Sequence, residues 1–285
     1  MKNNFYCPLI VILLTISWIT GCNQTTRTVS EGIARWDSIH VEKTYHMLED
    51  TNNPNCNLQI NFVFPAEFKN KEALAAVQRQ FISSCMGESY EKLAPAEAVA
   101  RYVEQYLEEY KKLEQDFLAE KENDHDHEAS AGSWFSFYEY FFNEITYNKN
   151  DLLCYTVHYE NYTGGAHGSH SDTSHIIDLN TGLPLTETDL FVEGFQEDLA
   201  KVIVRKIAQK NQAKSAGELE DMGFFSVEEI YPNGNISVDD NGITYHFNEY
   251  EIAAYVVGPT EVFIPYDEIK QLLRKDSRIA SLAGY

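Results

Sequence analysis

The fold is decided by residues 134–162, which read Trp134-Phe-Ser-Phe-Tyr-Glu-Tyr-Phe-Phe-Asn-Glu-Ile-Thr-Tyr147, then Asn148-Lys149-Asn150-Asp151, then Leu152-Leu-Cys-Tyr-Thr-Val-His-Tyr-Glu-Asn-Tyr162. The central Asn and Asp residues favour a turn, and the runs on either side are rich in aromatic and β-branched residues. In the second run the side chains alternate between two faces, with Leu153, Tyr155, Val157 and Tyr159 on one and Cys154, Thr156, His158 and Glu160 on the other. The stretch predicts two strands joined by a turn.

Further strands and helices are predicted on the N-terminal side of this stretch. Val41–Met47 is a candidate strand, and Leu58, Ile60, Phe62 and Phe64 alternate with polar residues until Pro65, which is expected to end the run. A helix is predicted at about Lys71–Ser84. A longer one starts at Pro95, with apolar residues recurring at helical spacing as far as Phe117.

The C-terminal third mixes short strands and helices. Thr173–Leu179 predicts another strand, and a helix carries Leu199, Val202, Ile203 and Ile207. Three short strands are expected near residues 243–247, 252–256 and 261–264, before a closing helix near Asp267. Strands and helices do not alternate regularly, so we predict an α+β fold with a mostly antiparallel sheet and packed helices. We divide it into two α+β domains, residues 41–182 and 183–285.

The N-terminus carries the pattern of a lipoprotein signal peptide. A lysine, Lys2, precedes an apolar run that is too short to span a bilayer, and Ile19-Thr20-Gly21-Cys22 then forms a lipobox. We expect residues 1–21 to be removed, Cys22 to be lipidated and residues 22–40 to form a polar tether. The alternative is an ordinary signal peptide with an incidental cysteine. The lipobox predicts a membrane-anchored lipoprotein of the cell envelope that faces the periplasm or the exterior.

Composition limits the possible partners of the chain. It has 285 residues, with 22 Lys and Arg against 44 Asp and Glu, and a formal net charge of −22. Such acidity disfavours binding to nucleic acid and favours cationic partners, although it also fits a merely soluble surface. No motif in the sequence points to a cofactor.

Three cysteines remain in the mature chain if Cys7 leaves with the signal and Cys22 is lipidated. They are Cys56, Cys85 and Cys154. An oxidising compartment permits disulfides. If the first helix packs back along the strand that follows Cys56, then Cys56 and Cys85 meet and form a disulfide. The alternative is two small buried thiols.

Two segments carry a resemblance to a known family. The first is Tyr162-Thr-Gly-Gly-Ala-His-Gly168, followed by Asp178-Leu-Asn-Thr-Gly182 and Asp189-Leu-Phe191. The second is Phe247-Asn-Glu-Tyr-Glu-Ile-Ala-Ala-Tyr255, followed by Gly258-Pro259 and Ile264-Pro-Tyr266. Together they resemble the paired domains of unknown function numbered 4163 and 3298. These occur in extracytoplasmic bacterial proteins, including a lysozyme-sensing anti-sigma factor and a peptidoglycan deacetylase.

This resemblance implies a fold and a ligand-binding module. It implies for the C-terminal part a subdomain topology seen in the actin-like ATPase of heat-shock proteins, without nucleotide binding. We expect the protein to have neither the sigma-binding segment nor the polysaccharide-deacetylase domain of the two relatives. Sigma regulation and deacetylation therefore do not carry over.

The glycine-rich turn holds the candidate ligand-binding residues, which are Tyr162, Gly164, Gly165 and His167. Glycines permit positive φ and close backbone approach, either for a tight turn or for a ligand. Alternatively, His167 stabilises the turn or packs against its neighbours. A zinc site built from His158, His167, His170 and His175 with Glu160 and Asp172 matches no known spacing. The run from Asp124 to Glu128 is a polar loop or, alternatively, a loose cation trap.

Two function classes follow. The first is a non-catalytic envelope lipoprotein that binds a protein, such as a cationic lysozyme-like enzyme, or a cell-wall glycan. The second is an envelope hydrolase or metalloenzyme centred on His167. A pocket that holds His167 beside a carboxylate or a second histidine would support the enzyme. An exposed aromatic and acidic surface would support binding.

Overall fold

The computed structural model describes residues 34–68, 71–123 and 134–285, and its fold is α+β, as predicted. The signal peptide, Cys22 and the loop Asp124–Glu128 lie outside these residues. Within them no helix is both long and apolar enough to cross a bilayer. Nine strands are described: β1 Ala34–His46, β2 Asn55–Phe68, β3 Phe137–Lys149, β4 Leu152–Tyr162, β5 Ser169–Asp178, β6 Leu183–Leu185, β7 Ile236–Val238, β8 Gly242–Phe247 and β9 Thr260–Pro265.

The first six strands form one sheet in chain order, β1 to β6. All its neighbours are antiparallel except β2 and β3, which pair in parallel from Cys56 opposite Phe137 to Asn61 opposite Phe142. A parallel pair needs a crossover connection. Three helices occupy that connection: α1 Lys71–Met86, α2 Pro95–Lys111 and α3 Glu114–Asn123.

Helices α1 and α2 cover one face of this sheet. The apolar side chains of β2 and β4 that alternate toward that face meet the apolar faces of the two helices. The buried residues include Leu58, Ile60, Phe62, Val77, Phe81, Ile82, Val99, Leu153, Tyr155 and Val157. At the centre, the ring of Phe81 stacks on that of Tyr155 with centroids 3.9 Å apart. Burial of these side chains is the main free energy that holds the helices to the sheet.

A second sheet of order β7-β8-β9 forms the C-terminal part with four helices, α4 Glu187–Leu190, α5 Gln196–Asn211, α6 Ala216–Asp221 and α7 Tyr266–Ile269. Its core is continuous with the first sheet, because Tyr147, Leu152, Cys154 and Ile176 pack into it. Strand β6 pairs with β5. The first sheet therefore extends three residues beyond the predicted domain boundary at residue 182.

Several predicted elements differ from those observed. Strand β1 begins at Ala34, so the last part of the predicted tether belongs to the sheet. Strand β2 continues through Pro65 to Phe68, with a register irregularity opposite Arg35 and Trp36. A proline has no N–H to donate. It fits here because backbone pairing with β3 stops at Asn61, so no carbonyl of β3 faces Pro65.

Two further predictions were wrong in detail. The long helix from Pro95 is interrupted at Lys112 and Leu113, where Glu114 turns toward β1 and accepts hydrogen bonds from Tyr45 Oη and Leu48 N at 2.7 Å each. The strand expected over residues 252–256 is instead a turn that leads into a 3₁₀ turn at Tyr255–Val257. The short strand β7 was not predicted.

The predicted Cys56–Cys85 disulfide was also wrong, because all three described cysteines are free and buried. The middle of helix α1 packs against the C-terminal end of β2, where Gln78 Nε2 donates to Pro65 O at 2.7 Å. Cys85 lies about 10 Å along the helix from Gln78, whereas Cys56 lies roughly 30 Å along the strand from Pro65. The helix therefore cannot bring the two thiols within bonding distance.

Candidate functional site

The glycine-rich turn between β4 and β5 is held by contacts that require glycine. Gly164 and Gly165 have φ of 88° and 110°, and a Cβ on Gly164 would lie 2.9 Å from Trp134 O. A Cβ on Gly168 would lie 2.5 Å from Tyr138 Oη. Tyr162 Oη closes the turn by donating to Gly165 O at 2.9 Å. The turn thus brings the predicted residues together, and the glycines serve its close packing.

His167 is exposed at the tip of this turn. Its Nδ1 donates to Gly168 O at 2.7 Å, and its ring stacks on that of Tyr255 with centroids 4.2 Å apart. Tyr250 stacks beside Tyr255 at 5.6 Å and is itself 55% exposed. In this arrangement His167 is part of an aromatic surface, and among the described residues no carboxylate pairs with it.

Four of the other predicted metal ligands lie opposite one another on β4 and β5, His158 opposite Asp172 and Glu160 opposite His170. His158 pairs with Asp172 at 2.7 Å, and His170 pairs with Glu249 at 3.0 Å. Burial lowers the pKa of His175 to about 4, and its ring stacks on Tyr155 instead of facing the other histidines. Glu160 accepts a hydrogen bond from Tyr138 Oη at 3.1 Å. In the described parts of the chain no group of three His, Cys, Asp or Glu side chains could hold a metal ion.

The turn borders an aromatic ladder that the sequence analysis did not single out. We use that name for Tyr138, Tyr140 and Phe142, which alternate on β3 toward the face opposite α1 and α2. Tyr138 stacks on Tyr140 at 4.9 Å and on Tyr162 at 6.0 Å. Phe142 is 46% exposed and stacks on His158. The pattern that predicts the aromatic ladder, an aromatic residue at every second position of β3, is present in the sequence.

Polar side chains flank the aromatic ladder on both sides. On β2, an amide row of Asn57, Gln59 and Asn61 lies directly opposite its three members in the parallel register. On β4, Glu160 and His158 lie opposite Tyr140 and Phe142. The face therefore combines flat apolar rings with hydrogen-bonding groups along its edges.

The C-terminal part is fixed beside this face by two asparagines. Asn235 Oδ1 accepts from Ser174 N and its Nδ2 donates to Asp172 O, at 2.8 and 2.7 Å. Asn248 bonds Asp172 in the same way, accepting from its N at 2.8 Å and donating to its O at 3.1 Å. These bonds satisfy the open backbone edge of β5. They position Tyr250 and Tyr255 next to His167.

A polar row crosses the second sheet near Asp172. His246 Nε2 lies 2.9 Å from Ser237 Oγ, and its Nδ1 lies 3.4 Å from Glu261 Oε1. Burial holds the pKa of His246 below its usual value. The order of these three side chains is that of a Ser-His-acid triad. A triad also needs backbone N–H groups that stabilise the oxyanion, but Ser237 lies within β7, where the N–H groups point along the plane of the sheet. We therefore interpret the row as a link between strands.

Comparisons with known proteins cover both halves of the chain. Residues 188–267 match the family described as "Protein of unknown function (DUF3298)", and residues 41–170 match the family described as "Deacetylase PdaC". The expected 3298 domain is thus found, and the N-terminal match is to the deacetylase family. No curated protein matches the chain.

Two solved structures resemble the whole fold. A DUF3298 family member from Bacteroides fragilis NCTC 9343 is 33% identical, with a TM-score of 0.83, and the match covers 89% of this chain and 98% of that one. A DUF3298 family protein from Pseudomonas aeruginosa PAO1 is 16% identical, with a TM-score of 0.57, and the match covers 83% of this chain and 94% of that one. The second likeness concerns the fold alone.

Proposed function

Because this chain belongs to the DUF3298 family, whose description gives no function, we propose its role from the site: it is a non-catalytic cell-envelope lipoprotein that binds a cell-wall glycan. The ligand lies on the aromatic ladder of Tyr138, Tyr140 and Phe142, and the turn residues Tyr162, Gly164, Gly165 and His167 form one end of the site. The protein is bound to a membrane through Cys22 and faces the periplasm or the exterior.

The observation that carries this proposal is the series of aromatic rings along β3 and the adjoining turn. Three aromatic side chains follow one another along β3, and the stacked pair of His167 and Tyr255 extends the surface beyond Tyr162. Contiguous exposed apolar surface rimmed by polar groups marks a binding site. The flat apolar faces of sugar rings pack well on aromatic rings, while sugar hydroxyls need the polar groups that flank them.

The arrangement of His167 favours binding over catalysis. A general base must hold a proton acceptor within reach of a substrate, and a catalytic imidazole is oriented by a third group. Nδ1 of His167 is held by a backbone carbonyl, which leaves Nε2 as an acceptor, but no carboxylate or hydroxyl nucleophile among the described residues pairs with the ring, and its face is stacked on Tyr255. A hydrolase or metalloenzyme centred on His167 therefore has less support than a recognition surface.

Glycan binding is tested with Tyr140→Ala in the mature chain. The variant removes the central ring of the aromatic ladder, so we expect at least tenfold weaker retention by isolated, protein-free peptidoglycan in a sedimentation assay. Tyr140→Phe keeps the ring and is the matched control, which should bind like wild type. Thermal unfolding of all three proteins verifies that the fold is intact.

The outcomes distinguish a glycan from a protein ligand. Retention by peptidoglycan that is lost only in Tyr140→Ala supports the proposal. Failure of the wild-type chain to bind peptidoglycan, or capture of a cationic lysozyme-like enzyme without any glycan, overturns it.

The lipid anchor is tested separately with Cys22→Ala. Cys22 is the acceptor of the lipobox, so the variant should lose acylation and accumulate as unprocessed precursor. Metabolic labelling with a fatty-acid probe measures this. Label that persists on the variant contradicts the anchor.

A further inference from the structure

We propose that the face of β2 and β3 opposite α1 and α2 recognises N-acetylated hexosamine units. The amide row on β2 forms hydrogen bonds with the acetamido groups, and the aromatic ladder on β3 packs under the sugar rings. This inference rests on the proposed glycan-binding function and specifies the class of sugar. The residues that would read the acetamido groups are Gln59 and Asn61, with Asn57 at the end of the row.

The parallel register of β2 and β3 sets each amide beside one aromatic ring. Asn57 lies opposite Tyr138, Gln59 opposite Tyr140, and Asn61 opposite Phe142. Neighbouring strands are about 4.8 Å apart, and side chains two residues apart on a strand recur about every 7 Å on one face. The result is three repeats of the same amide and aromatic pair along one direction. A polymer whose units carry the same substituent is the matching ligand.

The amides are available to a ligand. The side chains of Gln59 and Asn61 are exposed and make no hydrogen bond with any other side chain or backbone group in the described parts of the chain. Asn57 is oriented instead, because its Oδ1 accepts from Thr44 Oγ1 at 2.7 Å and its Nδ2 donates to Asn55 Oδ1 at 2.8 Å. Two of the three amides can therefore turn toward a bound sugar.

The chemistry of an amide matches that of an acetamido group. A side-chain amide offers one carbonyl acceptor and two N–H donors, and an acetamido group offers one N–H donor and one carbonyl acceptor. The two can pair through both bonds at once. An unsubstituted amino sugar has no carbonyl, and in its protonated form it has no acceptor at all on that group, so it leaves the amide donors unpaired. The competing feature is Glu160, which lies opposite Tyr140 and would favour an ammonium.

The experiment compares two oligosaccharides that differ only in acetylation. Titration calorimetry on the mature chain measures binding of a fully N-acetylated glucosamine hexamer and of its de-N-acetylated counterpart, at a salt concentration that screens exposed charges. We expect wild type to prefer the N-acetylated hexamer by about tenfold or more. Gln59→Ala/Asn61→Ala should lose that preference by weakening only the N-acetylated ligand.

A matched double variant keeps the shape of the amides and changes their charge. Gln59→Glu/Asn61→Asp replaces donors by carboxylates, so it should lose the preference for the N-acetylated hexamer at that salt concentration and favour the protonated de-N-acetylated hexamer when the salt is lowered. Both sites are exposed, and unfolding curves verify the fold.

The failure of this inference is separable from that of the proposed function. If wild type binds both hexamers equally, or the de-N-acetylated one better, while Tyr140→Ala abolishes binding, the acetamido inference is overturned and glycan binding stands. If the alanine double variant keeps the wild-type preference, the amide row does not bind the acetamido groups and the inference is overturned as well. If wild type binds neither hexamer and no peptidoglycan, both proposals fail.

Discussion

Asn143 replaces a missing strand at one point of the first sheet. It is 2% exposed on β3, and its side chain accepts from Val63 N at 2.8 Å and donates to Val63 O at 2.9 Å. The backbone ladder between β2 and β3 ends two residues earlier, at Asn61. The side-chain amide therefore satisfies two backbone groups of Val63 that would otherwise lack a partner in the sheet.

We expect Asn143→Ala to lower the free energy of unfolding by about 2–4 kcal/mol, because it leaves both groups of Val63 unsatisfied. Urea denaturation measures the change. Asn61→Ala is the control, since its exposed side chain makes no hydrogen bond among the described residues, and it should alter stability by less than about 0.5 kcal/mol. Similar losses in the two variants would contradict this role of Asn143.

His175 makes the stability of the fold depend on pH. Burial lowers its pKa to about 4, and its Nε2 is buried without a hydrogen bond. The unfolded chain binds a proton at this site below about pH 6.5, whereas the folded chain does not. Stability should therefore fall by up to about 1.4 kcal/mol per pH unit as the pH drops from about 6.5 toward 4.

The ion pair of His158 and Asp172 changes the pH dependence of stability only outside the range from about pH 6.5 to 4. The Asp172 carboxylate raises the pKa of His158, so its contribution is lost only as the pH rises above about 6.5. The same hydrogen bond lowers the pKa of Asp172, so that contribution is lost only at pH below about 4.

We expect His175→Phe, whose ring can stack on Tyr155, to remove part of the loss of stability between about pH 6.5 and 4.5. Urea denaturation at both pH values gives the difference, which should be smaller than in wild type by about 2 kcal/mol. Tyr155→Phe keeps the imidazole and should keep the wild-type difference. An unchanged difference in His175→Phe would exclude His175 as the cause.

At the level of elements, the turn between β3 and β4 sets the register at the closed end of the hairpin. Lys149 pairs with Leu152, so Asn150 and Asp151 form a two-residue loop, and their φ values are 56° and 58°. Such a loop with two positive φ angles matches the right-handed twist of the strands, and Asn and Asp tolerate it. Together with the register shift between Ile145 and Tyr147, the loop aligns Tyr138 and Tyr140 with Tyr162 and Glu160 across the pair.

We expect Asp151→Val to lower the free energy of unfolding by about 1–2 kcal/mol, because a β-branched residue is strained at positive φ. Asp151→Gly removes the same carboxylate without strain and should be at least as stable as wild type. Thermal unfolding compares them. Equal stabilities of the two variants would argue against a conformational requirement at this position.

At the level of the whole molecule, three hydrophobic clusters each contain one cysteine. Cys154 lies in the C-terminal core, Cys85 between α1 and the first sheet, and Cys56 beside α2 and α3. Burial raises the pKa of Cys56 to about 11 and that of Cys85 and Cys154 to about 12. The folded protein should therefore protect all three thiols, which report on different parts of the core.

The clusters are joined across the two sheets. Tyr147 Oη donates to Asp240 Oδ1 at 2.9 Å, and Arg278 pairs with the buried Asp178 at 2.9 Å. Because the sheets share a core and these bonds, we expect them to unfold together. Alkylation of each thiol at increasing urea, followed by mass spectrometry, should give one common midpoint. A lower midpoint at Cys154 alone would mean that the C-terminal part unfolds separately.

The sequence by itself determined those features that depend on neighbours along the chain. The alternation in Leu152–Tyr162 predicted β4 with its observed bounds, and the turn residues before it predicted the loop at Asn150 and Asp151. The helical spacing after Pro95 predicted α2. The family resemblance predicted the 3298 domain. Side-chain periodicity and local turn chemistry suffice for such elements.

Only the tertiary structure decided which residues share a surface. The predicted turn residues do lie together, because they are adjacent in the chain, but the aromatic ladder and the amide row belong to strands about 80 residues apart. Their alignment depends on the parallel register of β2 and β3, and the proximity of Tyr255 to His167 depends on Asn235 and Asn248 at the edge of β5. The direction of α1, which separates Cys56 from Cys85, was decided in the same way. Pairing between distant segments is set by the packing of the whole core, and periodicity within one segment carries no information about its partner.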